Sequence, residues 1–354
     1  MHAQVNRWRL TPRRAALLLL LCLLAAAGVA ALGVGGSPQR PDEARAASSS
    51  TDRDVVFAIH GGAGGISRDS LPPELESQYR AALRTALETG SAVIQRGGDA
   101  TDAVKAAIVT MEDSSLFNAG KGAVFTTDAK HELDASIMDG KTLDTGAVTG
   151  VEHIKNPIRL ADTVRRASRH VFFAGQGAEL FAINRGFRLV TQDYFFTERR
   201  WEALIEAKAG KSEFNFGLDT VGAVALDGQR DLAAGTSTGG LTNKPVGRIG
   251  DSPVIGAGTY ANNSTVAVSA TGTGEFFIRQ VVAHDISTLI DYADMSVADA
   301  AQASIDKVAD LGGDGGVIAL DRRGRLAMPF NTTGMFRGWV TRDGDVVVKI
   351  FGDE

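Results

Sequence analysis

"GLDTVGAVALDGQRDLAAGTSTGG", residues 217–240, decides how the chain is read. Two apolar runs, "TVGAVALD" and "LAAGTS", flank Asp227-Gly228, a pair that favours a tight turn between antiparallel strands. With the turn centred near residue 228, residue 220 stands across from about residue 236. Thr220 and Thr238 then become neighbours at the open end of a hairpin. Threonine suits strands, so a pair of strand-end hydroxyls has an ordinary structural explanation. The rest of the chain decides whether it also has a chemical one.

Working outward, "VVFAIHGGAGG" (55–65) reads as a short buried strand entering a glycine turn. Helical spacing over 74–96 puts Leu75, Tyr79, Ala82, Ala86 and Leu87 on one face. "GGDATDAVKAAIVTMED" (97–113) reads as a turn, an N-cap at Asp99 or Thr101, and a second helix. "LFNAGKGAVFTTDAKHELDASIMDG" and "GAVTGVEHIKNP" supply strands and turns, and 159–169 and 175–185 read as helices. Residues 205–219 lack periodicity and read as a surface linker. After the hairpin come a strand at 265–270, a helix from Glu275, a helix over 296–311, and the strands "GGVIALD", "LAMPF" and "VVVKIF". Strands in runs with helical hairpins between them predict an α+β body, with helices packed outside two antiparallel sheets.

Composition narrows the function. At 354 residues and a mean hydropathy near zero, the chain can bury a large core. A formal net charge of −5 gives no reason to expect nucleic acid as a partner. The six histidines are scattered without zinc-ligand spacing, and Cys22 is alone, so no intrachain disulfide can form. Arg7, Arg9, Arg13 and Arg14 precede the apolar stretch Ala15–Val34, and Ala44-x-Ala46 offers a small-residue cleavage site. Residues 1–46 therefore read as a signal peptide for an exported protein, periplasmic or secreted. The alternative is an N-terminal membrane anchor, since twenty such residues can just span a bilayer. Residues 47–53 read as a linker.

"LDTVGAVALD…TSTGGLTNKPVGRIGDSPVIGAGTYANN…VSATGTGE", with "IHGGAGG", "LFNAGKGAVFT", "LDASIMDG", "GGDGGVIALD" and "MPFNTTGM" in that order, resembles the plant-type L-asparaginase and isoaspartyl peptidase family. These are hydrolases with an N-terminal threonine nucleophile, related to the glycosylasparaginases. The resemblance covers about residues 55–351 and implies one structural domain, a four-layer αββα sandwich. It implies self-cleavage between Asp219 and Thr220, giving an α-chain over 54–219 and a β-chain over 220–354. A threonine hydroxyl is a weak nucleophile without a base. A freed α-amine has a pKa of roughly 7.7–8.0 and can accept that proton.

The remaining roles are those the resemblance implies. Thr238 bonds the nucleophile, and Thr271 with Gly272 forms the oxyanion hole. Arg248 grips the substrate α-carboxylate and Asp251 its α-amine. Gly274 lets substrate approach the backbone, and Asn118 lines the site. "MEDSSLFNAGK" (111–121) matches a sodium loop, with carbonyls of Met111, Glu112, Ser114, Phe117, Ala119 and Lys121 as donors. Catalysis itself needs no cofactor. The implied assembly is a homodimer of processed αβ units. The substrates are small molecules or dipeptides cut at a β-aspartyl amide: L-asparagine, isoaspartyl dipeptides, or a glycosylated asparagine. Asp219 departs from the glycine common among close relatives and matches the glycosylasparaginase branch, although Leu218 replaces its usual histidine. His60 reads as structural.

Two other readings stand beside this one. "GTSTG" (235–239) formally fits a serine nucleophile elbow at Ser237, with Asp251 and His284 following in order, but "GGLTNKPVG" cannot supply the helix such an elbow needs. An exported, non-catalytic binder of aspartate or asparagine would also use Arg248 and Asp251.

Overall fold

The computed structural model describes residues 54–211 and 220–354. Residues 1–53, expected to be an export segment and linker, and Asp219 lie outside the described residues.

Two sheets form the centre of the molecule. The larger has the order β12 (Val346–Phe351), β11 (Gly334–Thr341), β1 (Val55–Gly64), β5 (Val221–Leu226), β6 (Leu232–Thr238), β2 (Leu133–Asp139), β3 (Thr145–Val151) and β4 (Phe172–Ala174). The smaller has the order β10 (Leu326–Ala327), β9 (Gly315–Asp321), β8 (Val266–Gly272) and β7 (Thr259–Ala261). Neighbouring strands are antiparallel except β3 and β4, which pair in parallel. Helices α1 (Pro73–Gln95), α2 (Ala100–Glu112) and α3 (Pro157–Ala167) cover one face of the larger sheet. Further along the chain are α4 (Gly175–Asn184) and α5 (Glu198–Lys208). The outer face of the smaller sheet is covered by α6 (Gly274–Gln280), α7 (Val282–Ala293) and α8 (Val297–Asp310).

The layering follows from period-two alternation. In β5, Val221, Ala223 and Ala225 point into the core under α1–α3, while Val224 and Leu226 point into the core between the sheets. In β9, Ile318 and Leu320 face that same inter-sheet core, while Val317 and Ala319 face α8. Both strands are apolar on both faces because both faces are buried. Each fully buried branched side chain contributes about 1.5–3 kcal/mol. The αββα sandwich is thus present as four layers around three apolar seams.

Several elements differ from the sequence-based expectation. Leu226 pairs with Leu232 and Val221 with Ser237, so residue 220 stands opposite 238 rather than 236. The connection is a five-residue loop and not a two-residue turn at Asp227-Gly228. The Asp227 carboxylate accepts from the N–H groups of Gln229 and Asp231, and Arg230 takes the left-handed position at φ 63°. Asp227 also accepts from Ala100 N at 3.1 Å, so it caps α2 from outside, and Asp99 makes no side-chain cap bond. Strand β1 continues through the predicted glycine turn, with a bulge between His60 and Gly62. Residues 205–208 belong to α5, which the Thr197 hydroxyl caps by accepting from Arg200 N. Strand β11 was not expected, because Gly334, Arg337 and Gly338 interrupt its apolar alternation. Arg337 is buried there by donating to the carbonyls of Met335 and Phe351.

Candidate active site

The hairpin β5–β6 ends beside the last residue of β8, so the same end of both sheets opens on one cleft. Thr220, Thr238, Gly240, Arg248, Asp251 and Gly272 line it. Thr220 Oγ1 donates to Thr238 Oγ1 at 2.9 Å, and Thr238 Oγ1 also accepts from Gly240 N at 3.0 Å. Both threonines are buried. The register that places 238 opposite 220 is what brings the two hydroxyls together.

Opposite them stand the charged residues. Arg248 forks onto Glu275. Asp251 is buried, and its Oδ2 has no hydrogen-bond partner. Burial pushes the Asp251 carboxyl up to about 7, with Arg248 opposing that shift and Glu275 adding to it. An unpartnered buried carboxylate oxygen has its lone pairs free for a donor from outside the chain. A substrate ammonium is such a donor. Gly272 ends β8 at φ 152°, a conformation that favours glycine, and a Cβ there would lie 2.3 Å from the Asp314 carbonyl. Thr271, buried just before it, pairs with Gly316 of β9. Gly274 lies against Asp251, where a Cβ would come within 2.8 Å of its Oδ1.

Asn118 sits behind the cleft wall. Its Nδ2 donates to the Gly240 carbonyl at 2.6 Å, its Oδ1 accepts from Val124 N, and its own carbonyl accepts from Gly239 N. It braces the Gly239-Gly240 turn after Thr238. In the loop after α2, the carbonyls of Glu112, Ser115 and Phe117 crowd Gly120 and Gly122 at 2.1–2.8 Å from where a Cβ would stand. The Met111 carbonyl accepts from Ser114 N, and that of Ala119 from Gly122 N.

Three features were not legible in the sequence. His60 reaches Thr220: its Nδ1 donates to the Thr220 carbonyl at 2.9 Å, and its Nε2 accepts from Ser269 Oγ at 2.8 Å. Burial pulls the imidazole down to about 3, so it stays neutral, with one donor and one acceptor nitrogen. Thr236, Thr259 and Ser136 continue this buried hydroxyl chain to the Ser252 carbonyl, next to Asp251. Asp134, opposite Thr238 in β2, accepts from Thr149 Oγ1 and Gly150 N. Glu112 accepts from Ser237 Oγ at 2.7 Å, and burial raises its carboxyl to about 8. That contact removes the serine-elbow reading: Ser237 lies inside β6, fully buried and turned toward Glu112. The only available signal for His60 was its place beside the Gly61-Gly62 pair.

Residues 53–350 match the family model described as asparaginase. The chain belongs to the asparaginase family. Over 296 residues it is 50% identical to an isoaspartyl peptidase of Escherichia coli K12, covering 80% of this chain and 92% of that protein. It is 42% identical over 293 residues to a plant-type L-asparaginase of Pyrobaculum calidifontis, covering 80% and 96%. A human isoaspartyl peptidase/L-asparaginase is 40% identical over 286 residues, covering 79% and 91%. Within this asparaginase-family chain, the family match takes in every residue of the cleft and both sheets except Phe351 at the end of β12.

Proposed function

We propose that this chain is a self-processing threonine hydrolase of β-aspartyl amide bonds, acting on isoaspartyl dipeptides and L-asparagine. The observation that carries the reading is the 2.9 Å Thr220–Thr238 hydroxyl contact on a cleft shared with Arg248 and Asp251. Cleavage between Asp219 and Thr220 frees the Thr220 α-amine, which takes the proton of its own hydroxyl. Oγ1 then attacks the substrate's side-chain carbonyl. The Gly272 N–H and Thr271 hydroxyl receive the negative charge on the carbonyl oxygen. The leaving amine departs with the proton, and water opens the resulting ester to release aspartate. Arg248 takes the substrate α-carboxylate and Asp251 the α-ammonium, which fixes the aspartyl unit with its β-carbonyl toward Thr220.

Three further parts belong to the same reading. The 111–121 loop holds a structural sodium ion through its backbone carbonyls, the kind of oxygen ligand that suits a hard cation. The processed unit pairs with a second copy, supported by the exposed apolar side chains of Val171, Phe172, Leu180 and Ile183. Residues 1–46 export the protein, and Ala15–Val34 tethers it where cleavage does not occur.

The test supplies the processed protein with an isoaspartyl dipeptide, L-asparagine and N-glycosylated asparagine, and follows free aspartate. Release from the first two is expected. Turnover of the glycosylated substrate alone would assign the chain to the glycosylasparaginase branch. Tight binding of aspartate without turnover of any substrate would make it a binding protein.

A further inference from the structure

An arginine has two edges that can each hold a carboxylate: one formed by Nε and Nη2, the other by Nη1 and Nη2. Glu275 occupies the first edge of Arg248, with Nε donating to Oε1 at 2.9 Å and Nη2 to Oε2 at 2.7 Å. The Arg248 side chain is 13% exposed and that of Glu275 is 50% exposed, so the carboxylate approaches from the solvent side. Nη1 lies on the other side, facing Gly250: a Cβ at Gly250 would stand 3.0 Å from it. Gly250 lines the same cleft as Thr220 and Asp251. Arg248 itself lines that cleft, so one of its edges is filled by the protein while its Nη1 end lies beside Gly250 on the cleft wall.

We propose that Glu275 is the positioning residue of the head-group receptor: it holds the Nε–Nη2 edge of Arg248 so that the Nη1–Nη2 edge is presented to the substrate α-carboxylate. The inference rests on the hydrolase reading above, which supplies that carboxylate. A free arginine side chain must be ordered when ligand binds, and a pre-formed ion pair removes much of that loss before binding. The location of Glu275 adds a second consequence. It stands in the first turn of α6, directly after Gly272-Thr273, and Thr273 Oγ1 is itself tied to Asp314 Oδ1 at 2.6 Å. One short segment thus carries the oxyanion N–H and the anchor of the head-group arginine. Displacing that segment would move both ends of the substrate together.

The test compares the processed parent with processed Glu275→Ala and Glu275→Gln on two substrates: an isoaspartyl dipeptide, and the same dipeptide with the aspartyl α-carboxylate converted to an amide. For the acid substrate, Glu275→Ala is expected to raise KM about tenfold with kcat within about twofold. Glu275→Gln keeps one acceptor and should fall between. KM for the amide substrate should not respond to either change. A purely structural role would instead reduce the amount of active enzyme, lowering kcat and leaving KM in place. An unchanged or lowered KM for the acid substrate in Glu275→Ala would overturn the assignment while the hydrolase reading stood. A processed parent that hydrolyses neither substrate would overturn the hydrolase reading, and this assignment with it.

Discussion

Thr220 and Thr238 share one hydroxyl contact, and substitution separates the roles proposed for them. Thr220→Ala should abolish both chain cleavage and turnover. Thr238→Ala should leave substrate affinity near the parent value and lower kcat about 100-fold, because a hydrogen bond fixing the nucleophile is lost. Steady-state kinetics on an isoaspartyl dipeptide check both. Asp251 makes a prediction about pH. Burial raises its carboxyl to about 7, against an unfolded value near 3.9. The folded protein therefore keeps a proton that the unfolded chain releases. The stability this provides is complete below about pH 4 and is lost as pH rises through about 7. Asp251→Asn lacks that term, so its melting temperature should gain on the parent between pH 4.5 and 7.5. A constant difference across that range would contradict the assigned environment. The sequence pointed to Arg248 and Asp251 because both lie in one short motif, and the structure places both on the cleft wall. It concealed His60, whose partner Thr220 is 160 residues away, because no local pattern encodes such a contact.

Elements were legible where alternation or helical spacing was clean. Strands β5, β6, β8 and β9 follow from their apolar runs, and α8 from its regular apolar face. Helix α5 was lost because only Arg200 and Leu204 are buried along it, too narrow a stripe to give a period. The hairpin register differs by two residues from the one a tight turn near residue 228 would set, because Asp227 folds its side chain over the loop and lengthens it. Where β5 crosses β8, the fit is close: a Cβ at Gly222 would lie 2.0 Å from Ser269 Oγ and 2.2 Å from His60 Nε2. Gly222→Ala should therefore break the His60–Ser269 bond and destabilise the protein by about 2–3 kcal/mol. It should also slow cleavage before Thr220, because His60 holds that residue's carbonyl. Denaturant melts with a cleavage time course check this. A variant as stable as the parent would show that the hydroxyl chain is not under constraint.

At the scale of the whole molecule, the cleft exists because two sheets are stacked and end together. Thr220 comes from the larger sheet and Gly272 from the smaller, and the apolar seam between the sheets sets their separation. Ile318→Ala in that seam should cost about 2–5 kcal/mol. Such a loss would be read as a lower melting temperature, with cleavage still directed to the same peptide bond. The four-layer order was anticipated from runs of strands alternating with helical hairpins, and from the family resemblance. The pairing of β1 with β11 was not, since it joins the two ends of the described body. In the proposed mechanism Thr220 becomes the nucleophile by becoming an N-terminus. Intact mass of the purified protein after incubation tests it most directly. A fragment beginning at Thr220, absent from Thr220→Ala, is expected. An uncut chain that still hydrolyses isoaspartyl peptides would contradict it.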